Sequence, residues 1–92
     1  MPDPDELTRL RAEMDALNLT LRGLIQARAR LARRIGAVKR AQGLTLYDPH
    51  REEAMLRALM VEPEDGLPSE RLAEIIAEII AACRESARHE DD

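Results

Sequence analysis

The stretch that decides the fold is residues 6–42, ELTRLRAEMDALNLTLRGLIQARARLARRIGAVKRAQ. Apolar residues recur in it every three or four positions, and one slot of the series, Arg28, is charged. The series is Leu7, Leu10, Met14, Leu17, Leu21, Leu24, Arg28, Leu31, Ile35 and Val38. Because this spacing places every member on one helix face, the sequence predicts a single helix over residues 6–42, which Gly43 ends.

Two shorter helices are predicted downstream. Asp48 and Pro49 form an N-cap followed by a proline at the first helical position, which predicts a second helix to about residue 61. Residues 62–68 are rich in proline and acidic side chains and predict a turn. Ser69 is a candidate cap for a third helix over about 70–88, so the fold class is all-α.

The composition excludes several classes of protein. Tyr47 is the only aromatic residue, which argues against all-β folds and against base-stacking nucleic-acid folds. Cys83 is the only cysteine, which excludes an internal disulfide and a cysteine-rich zinc site and favours a reducing, cytoplasmic location. No membrane span or signal peptide is expected, since the apolar runs are short and the start is acidic. We expect one domain over residues 1–92, frayed at 1–5 and 89–92.

Charge is divided unevenly along the chain. The formal net charge is −4, which argues against general nucleic-acid binding. Residues 7–42 carry nine basic and two acidic side chains, or +7, whereas residues 43–92 carry five basic and thirteen acidic ones, or −8. The basic segment either serves a local anionic ligand or pairs with the acidic helices of the same fold, and charge alone favours the second interpretation.

The first helix is too long for a compact domain of this size. It would be about 54 Å long, while a compact chain of this length measures about 30 Å across. The two remaining helices cannot cover its apolar face. The length therefore predicts an intertwined helical homodimer, with docking on a different protein as the alternative.

Arg28 occupies a position that should be apolar, where a charge is costly unless it is compensated. It either extends to solvent, fixes the helix register, or meets an anion. Lys39 lies eleven residues later, about 20° around the helix and about 16 Å along it. The two residues form a candidate clamp for a small anion.

The first turn of the second helix adds Asp48, Arg51 and Glu52, of which Arg51 offers a second fork for a carboxylate. Arg11 lies about 25 Å from Arg28 along the first helix. It cannot share a small ligand with Arg28 of its own chain, but in an antiparallel dimer it could reach the partner's site.

This constellation resembles the all-helical class of chorismate mutases over about residues 6–87. The matching stretches are Arg11 with Met14 and Asp15, residues 24–28 (LIQAR), residues 35–39 (IGAVK) and residues 47–53 (YDPHREE). The resemblance implies an isomerase that converts chorismate to prephenate in aromatic amino-acid biosynthesis, without cofactor or metal. It also implies a homodimer whose sites each take one arginine from the other chain.

The resemblance implies a role for each matching residue. Arg11 of one chain and Arg28 of the other bind the two substrate carboxylates, and Lys39 donates to the ether oxygen and to a carboxylate. Asp48 and Glu52 hold the ring hydroxyl, and Arg51 supports a carboxylate. Lys39, Arg28 and Glu52 are the expected catalytic residues.

Three positions depart from the family pattern. Cys83 stands where the family usually has serine, Ala87 stands where it has glutamine or glutamate, and Asn18 replaces a common aspartate. Because alanine cannot donate to the ether oxygen, we expect a slow enzyme. Ser86 and Arg88 are the nearest substitutes, and Arg88 fits poorly.

Two further functions stay open. One is an isochorismate–pyruvate lyase of the same fold, and the other is a weakly active or regulatory dimer module. The first enzyme of the shikimate pathway is a candidate partner, whereas nucleic acid and membranes are not expected partners.

Overall fold

The computed structural model describes residues 3–60 and 65–89, without the side chain of His89. The described residues form three α-helices, α1 (Glu6–Ala41), α2 (Pro49–Leu59) and α3 (Ser69–His89). The all-α prediction is confirmed, and each end lies within two residues of its predicted place. Val61, the predicted end of the second helix, lies outside the described residues.

The end of α1 is built around Gly43, as predicted. Its φ of +72° is the left-handed conformation that glycine adopts without steric cost. The Leu44 amide donates to the Lys39 carbonyl at 2.8 Å, and the Gly43 amide donates to the Arg40 carbonyl at 3.1 Å. This pair of hydrogen bonds is a Schellman motif, which satisfies the last carbonyls of α1 and turns the chain toward α2.

The two later helices begin differently. Asp48 is extended and its Oδ1 accepts from the Arg51 amide at 3.1 Å, so it caps α2 ahead of Pro49, as predicted. Ser69 is instead the first helical residue of α3, and the Leu72 amide donates to the Pro68 carbonyl at 3.0 Å. α3 therefore starts one residue earlier than a serine cap would give.

A small core joins α3 to the C-terminal half of α1, and α2 packs on α3. Ile80, Cys83 and Ala87 form one buried stripe of α3, and they are the buried apolar side chains of the described chain. Gly36 is buried opposite them, and a Cβ there would lie 3.3 Å from Leu46 Cδ2 and 3.4 Å from Ala87 Cβ. The two helices approach this closely because position 36 has no side chain.

The described chain is elongated, measuring 63 × 28 × 14 Å with a radius of gyration of 17.6 Å. A compact chain of this length would have a radius near 12 Å. Residues 6–27, the N-terminal part of α1, are all exposed. The prediction that the first helix overshoots its own core is confirmed. Within the described ranges, no helix is both long enough and apolar enough to cross a membrane.

Both chain ends were expected to fray. Asp3 Oδ1 accepts from the Asp5 amide at 2.9 Å, and the Asp3 carboxylate pairs with Arg9 at 2.8 Å. These two hydrogen bonds lower the pKa of Asp3 and give the turn before α1 a defined structure. His89 ends α3, and residues 1–2 and 90–92 lie outside the described residues.

Candidate active site

A cavity of about 490 Å³ opens between the C-terminal half of α1, the start of α2 and the last turns of α3. Seven of the eight side chains that the sequence analysis singled out line it, and the eighth, Arg11, does not. The seven are Arg28, Lys39, Asp48, Arg51, Glu52, Cys83 and Ala87. Residues from all three helices therefore meet at one place in the fold.

α1 supplies the two cations of the expected clamp. Arg28 and Lys39 both line the cavity, and both are half-buried. The Lys39 ammonium donates to the Leu46 carbonyl at 3.5 Å, near the long limit of a hydrogen bond. Because that contact is weak, the ammonium is available to a stronger acceptor inside the cavity.

The first turn of α2 supplies three more polar groups. Asp48 is held by its capping hydrogen bond to the Arg51 amide, and Pro49 fixes the direction in which the helix leaves the loop. Arg51 and Glu52 then line the same cavity. The helix start thus places one cation and two carboxylates opposite the cations of α1.

Arg84 on α3 is a further charged group of the cavity that was not predicted from the sequence. Its Nη1 donates to both carboxylate oxygens of Glu52, at 2.6 and 2.5 Å, and its guanidinium lies 4.6 Å from the centre of the Tyr47 ring. The Glu52 hydrogen bonds raise the pKa of Arg84, so the arginine stays charged. A sequence signal was available, since Arg84 follows Cys83 directly and lies one turn after Ile80.

The charges of the cavity do not cancel. Its described lining holds four cations and two carboxylates, a formal excess of +2. Apolar side chains from all three helices fill the rest of the wall, including Ile35, Met55 and Ile80. A half-enclosed apolar chamber with excess positive charge is suited to a small organic anion carrying two negative charges.

A second cavity of about 560 Å³ continues from the first along α1, α2 and α3. The two share four lining residues, Arg28, Arg51, Met55 and Ile80. Its walls are otherwise apolar and include Leu21 and Leu24 of α1 and Ala54, Met55, Ala58 and Leu59 of α2. The second cavity is thus an apolar groove that ends at Arg28 and Arg51, two of the cations of the first cavity.

Sequence matches to known proteins agree with this geometry. The family model described as chorismate mutase type II matches residues 10–88. The chain belongs to this family. It is 36% identical over 83 residues to the bifunctional chorismate mutase/prephenate dehydratase of Aquifex aeolicus, covering 86% of this chain and 23% of that protein. It is 34% identical over 88 residues to the T-protein of Enterobacter agglomerans, covering 95% of this chain and 23% of that protein.

Two solved chorismate mutases have a similar fold. The form II enzyme of Thermus thermophilus superposes with a TM-score of 0.84 at 34% identity, covering 89% of this chain and 93% of that chain. The Helicobacter pylori enzyme, solved in complex with prephenate, gives a TM-score of 0.80 at 31% identity, covering 90% of each chain. The chain therefore matches nearly all of these two structures, while it spans about a quarter of the two sequence relatives.

The α3 wall is where this member of the chorismate mutase type II family departs from the expected pattern. Cys83 and Ala87 are buried in the wall of the cavity and present no strong hydrogen-bond donor. Neither suggested substitute faces the cavity: Ser86 accepts from Arg33 at 3.5 Å, and Arg88 is exposed. The polar side chain that α3 does bring to the cavity is Arg84.

Proposed function

We propose that this protein catalyses the rearrangement of chorismate to prephenate, an isomerase step of aromatic amino-acid biosynthesis. The observation that carries the proposal is the single cavity in which Arg28, Lys39, Arg51 and Glu52 meet. Membership of the type II chorismate mutase family supports the same reaction.

The proposed roles follow from the chemistry of the groups. Arg28 binds one substrate carboxylate as a planar fork, and Arg51 supports the carboxylate region. Asp48 and Glu52 accept from the ring hydroxyl. Lys39 donates to the ether oxygen, whose negative charge grows as its C–O bond breaks.

The reaction needs no nucleophile because it is a unimolecular rearrangement of one substrate. Arg28 and its counterpart at the other carboxylate restrict the flexible dianion to the folded, chair-like form. The Lys39 ammonium then stabilises the transition state more than the ground state, since the charge on the ether oxygen develops during the reaction. No cofactor is part of this proposal.

We also propose that the active form is a homodimer in which Arg11 completes the partner's site. Leu7, Leu10 and Met14 are exposed by more than half, although they belong to the apolar face of α1. A helix of a second copy could pack in the apolar groove beside Arg28 and Arg51. An antiparallel α1 seated there would carry Arg11 toward the cations of the site.

Three finer points complete the proposal. A cytoplasmic location and a partnership with the first enzyme of the shikimate pathway stay predictions. Turnover is expected to be slow, since Ala87 offers no side-chain donor where the family usually has glutamine or glutamate.

A chorismate-consumption assay on the purified protein tests the function. Lys39 is the only lysine of the chain, and Lys39→Ala should lower kcat by about 10²–10³ because it removes the donor to the ether oxygen. Arg34→Ala is the matched control, since Arg34 is an exposed cation of α1 that does not line the cavity.

Three results would contradict the proposal. Wild-type protein that leaves chorismate unchanged would remove the function. Pyruvate and salicylate formed from isochorismate would select the lyase instead. Lys39→Ala with the same kcat as Arg34→Ala would remove the role of the ammonium.

A further inference from the structure

The ion pair between Arg84 and Glu52 links α3 to α2 across the cavity. One guanidinium nitrogen lies 2.6 and 2.5 Å from the two carboxylate oxygens, and each side chain is about one quarter exposed, at 24% and 22%. The Tyr47 ring supports the guanidinium from another side at 4.6 Å. Arg84 is therefore held at two points, and the Glu52 carboxylate is held by it.

A second ion pair of α2, between Glu53 and Arg57, differs from the Arg84–Glu52 pair in its exposure to water. Glu53 and Arg57 are also 2.5 Å apart, but their side chains are 61% and 74% exposed and they lie one turn apart on the same helix. Exposed pairs of this kind are screened by water and contribute little. The Arg84–Glu52 pair instead lies in the wall of a cavity with apolar sides, where charges are screened less.

The pair also decides the charge that a ligand meets. Without Arg84 the described lining would hold three cations and two carboxylates, an excess of +1. The Glu52 carboxylate would then have no cation bonded to it, and it would repel a dicarboxylate ligand. With Arg84 in place the excess of this chain's own lining is +2, and the charge of Glu52 is compensated by a guanidinium bonded to it.

The small residues of α3 leave space for this arrangement. Cys83 and Ala87 flank Arg84 along the helix and are buried in the same wall. Alanine at position 87 removes one hydrogen-bond donor from α3, and the same helix carries the cation Arg84.

We propose that Arg84 is a positioning residue of the site: it fixes and neutralises Glu52, and thereby sets the affinity of the cavity for a dianion. This inference rests on the proposed function, since the dianion is the substrate named there. It adds a residue of α3 to the site that the family resemblance did not supply.

The test is a double-mutant cycle over Arg84→Met, Glu52→Gln and the double variant. Two readouts are taken: KM and kcat with chorismate, and Kd for a bicyclic dicarboxylate that mimics the folded substrate, measured by calorimetry. Arg84→Met should raise KM and Kd about tenfold, with kcat changed by less than about threefold. In the Glu52→Gln background the same change should alter KM and Kd by less than about twofold, because no carboxylate remains to be neutralised.

Two further sets of variants separate this role from a purely structural one. Arg84→Lys keeps the charge and should restore most of the affinity lost in Arg84→Met. The matched cycle over Arg57→Met and Glu53→Gln, the exposed pair, should leave KM and Kd unchanged. If Arg84→Met does not fold, Arg84→Gln takes its place in the cycle, and Arg84→Lys must then bind the dicarboxylate more tightly than Arg84→Gln.

Several outcomes would overturn the inference. Unchanged KM and Kd in Arg84→Met would do so while leaving the function intact. An equal effect in the Glu52→Gln background would show that Arg84 acts on the ligand directly and not through Glu52. A wild-type protein without turnover would remove the proposed function alone if the dicarboxylate cycle still shows the coupling, and absence of both turnover and dicarboxylate binding would remove both proposals.

Discussion

The two halves of α1 carry the same apolar pattern but have different surroundings. In the N-terminal half, Leu17 and Leu24 are 61% and 64% exposed, and no residue from 6 to 27 is even half-buried. In the C-terminal half, Gly36 is buried against α3, and Arg28 and Lys39 are half-buried in the cavity wall. One helix thus has a completed half and a half whose apolar face contacts solvent.

The difference follows from length. α3 has 21 residues and α1 has 36, so α3 is about 22 Å shorter than the helix it packs on. The part of α1 beyond α3 keeps the heptad-like spacing of a packed helix, and an apolar face of that size is typical of an interaction surface. The chain therefore builds its cavity against one half of α1, while the other half keeps an apolar face that the proposed second copy would cover.

The largest effect is expected from a charge placed in the uncovered half. Leu17→Glu should convert the dimer to monomer and abolish turnover, because a carboxylate would be buried without a partner in the dimer interface. Leu19→Glu is the matched control: Leu19 is 72% exposed and lies on the opposite side of α1 from Leu17. It should leave both mass and turnover within about twofold of wild type.

Sedimentation measures the mass of the Leu17→Glu and Leu19→Glu variants, and chorismate consumption measures their turnover. In an isolated chain the two leucines are similarly exposed, so only a partner can distinguish them. Equal mass and turnover of Leu17→Glu and Leu19→Glu would contradict the proposed difference between the two halves of α1, since the apolar face of the N-terminal half would then have no special role.

The next effect concerns Arg11, which lies in the exposed half and outside the cavity of its own chain. Arg11→Ala should lower kcat/KM about a hundredfold, because a charge-assisted contact to a substrate carboxylate is lost. The decisive measurement is complementation with Lys39→Ala. In a heterodimer of the two variants, one site would have both mutations and the other would have neither.

Subunit exchange at equal amounts should therefore restore about a quarter of the wild-type activity, since half of the dimers are heterodimers and each has one intact site. Lys39→Ala mixed with wild type at equal amounts is the control: every wild-type cavity stays complete, so the mixture should keep half of the wild-type activity whether or not subunits exchange. If Arg11 served its own chain's cavity, every site in the mixed dimers would lack one group, and activity would stay at the level of the separate variants.

Local chemistry explains which parts of the fold could be predicted from the sequence. The spacing along α1, the Asp48 cap and the glycine at position 43 act over a few residues, so the three helices and most of their ends followed from sequence patterns. The overshoot of α1 followed from its length. Ser69 was misjudged as a cap because both a cap and a first-turn serine suit the start of a helix.

The site was predicted less completely. The family resemblance named seven of the cavity residues. Sequence patterns alone suggested the pairing of Arg28 with Lys39 and the polar first turn of the second helix, but not Cys83 or Ala87. Arg84 was missed because its partner, Glu52, is 32 positions away and meets it only when α2 packs on α3. Ser86 was considered for the cavity, but it lies on the side of α3 that faces Arg33. Side-chain pairs across helices depend on packing angles that a sequence pattern does not contain.

The smallest effect is expected in the completed half, where Ala87 closes the wall opposite Gly36. Ala87→Gln should raise kcat about tenfold, because it restores a donor near the ether oxygen, although without a neighbour that fixes its orientation. The same change should cost about 1–3 kcal/mol of stability, since position 87 is already tightly packed. The dimer should be unaffected, because the uncovered half of α1 is not changed.

The control for this gain is Ala82→Gln, the same substitution at an exposed position of α3 outside the cavity. It should leave kcat within about twofold of wild type and cost less than about 0.5 kcal/mol. A folded Ala87→Gln variant with unchanged or lower kcat would mean that the reacting oxygen lies away from α3. The cations of α1 would then carry the chemistry alone, and the two halves of α1 would differ even more sharply, one binding a partner chain and the other supplying the reaction.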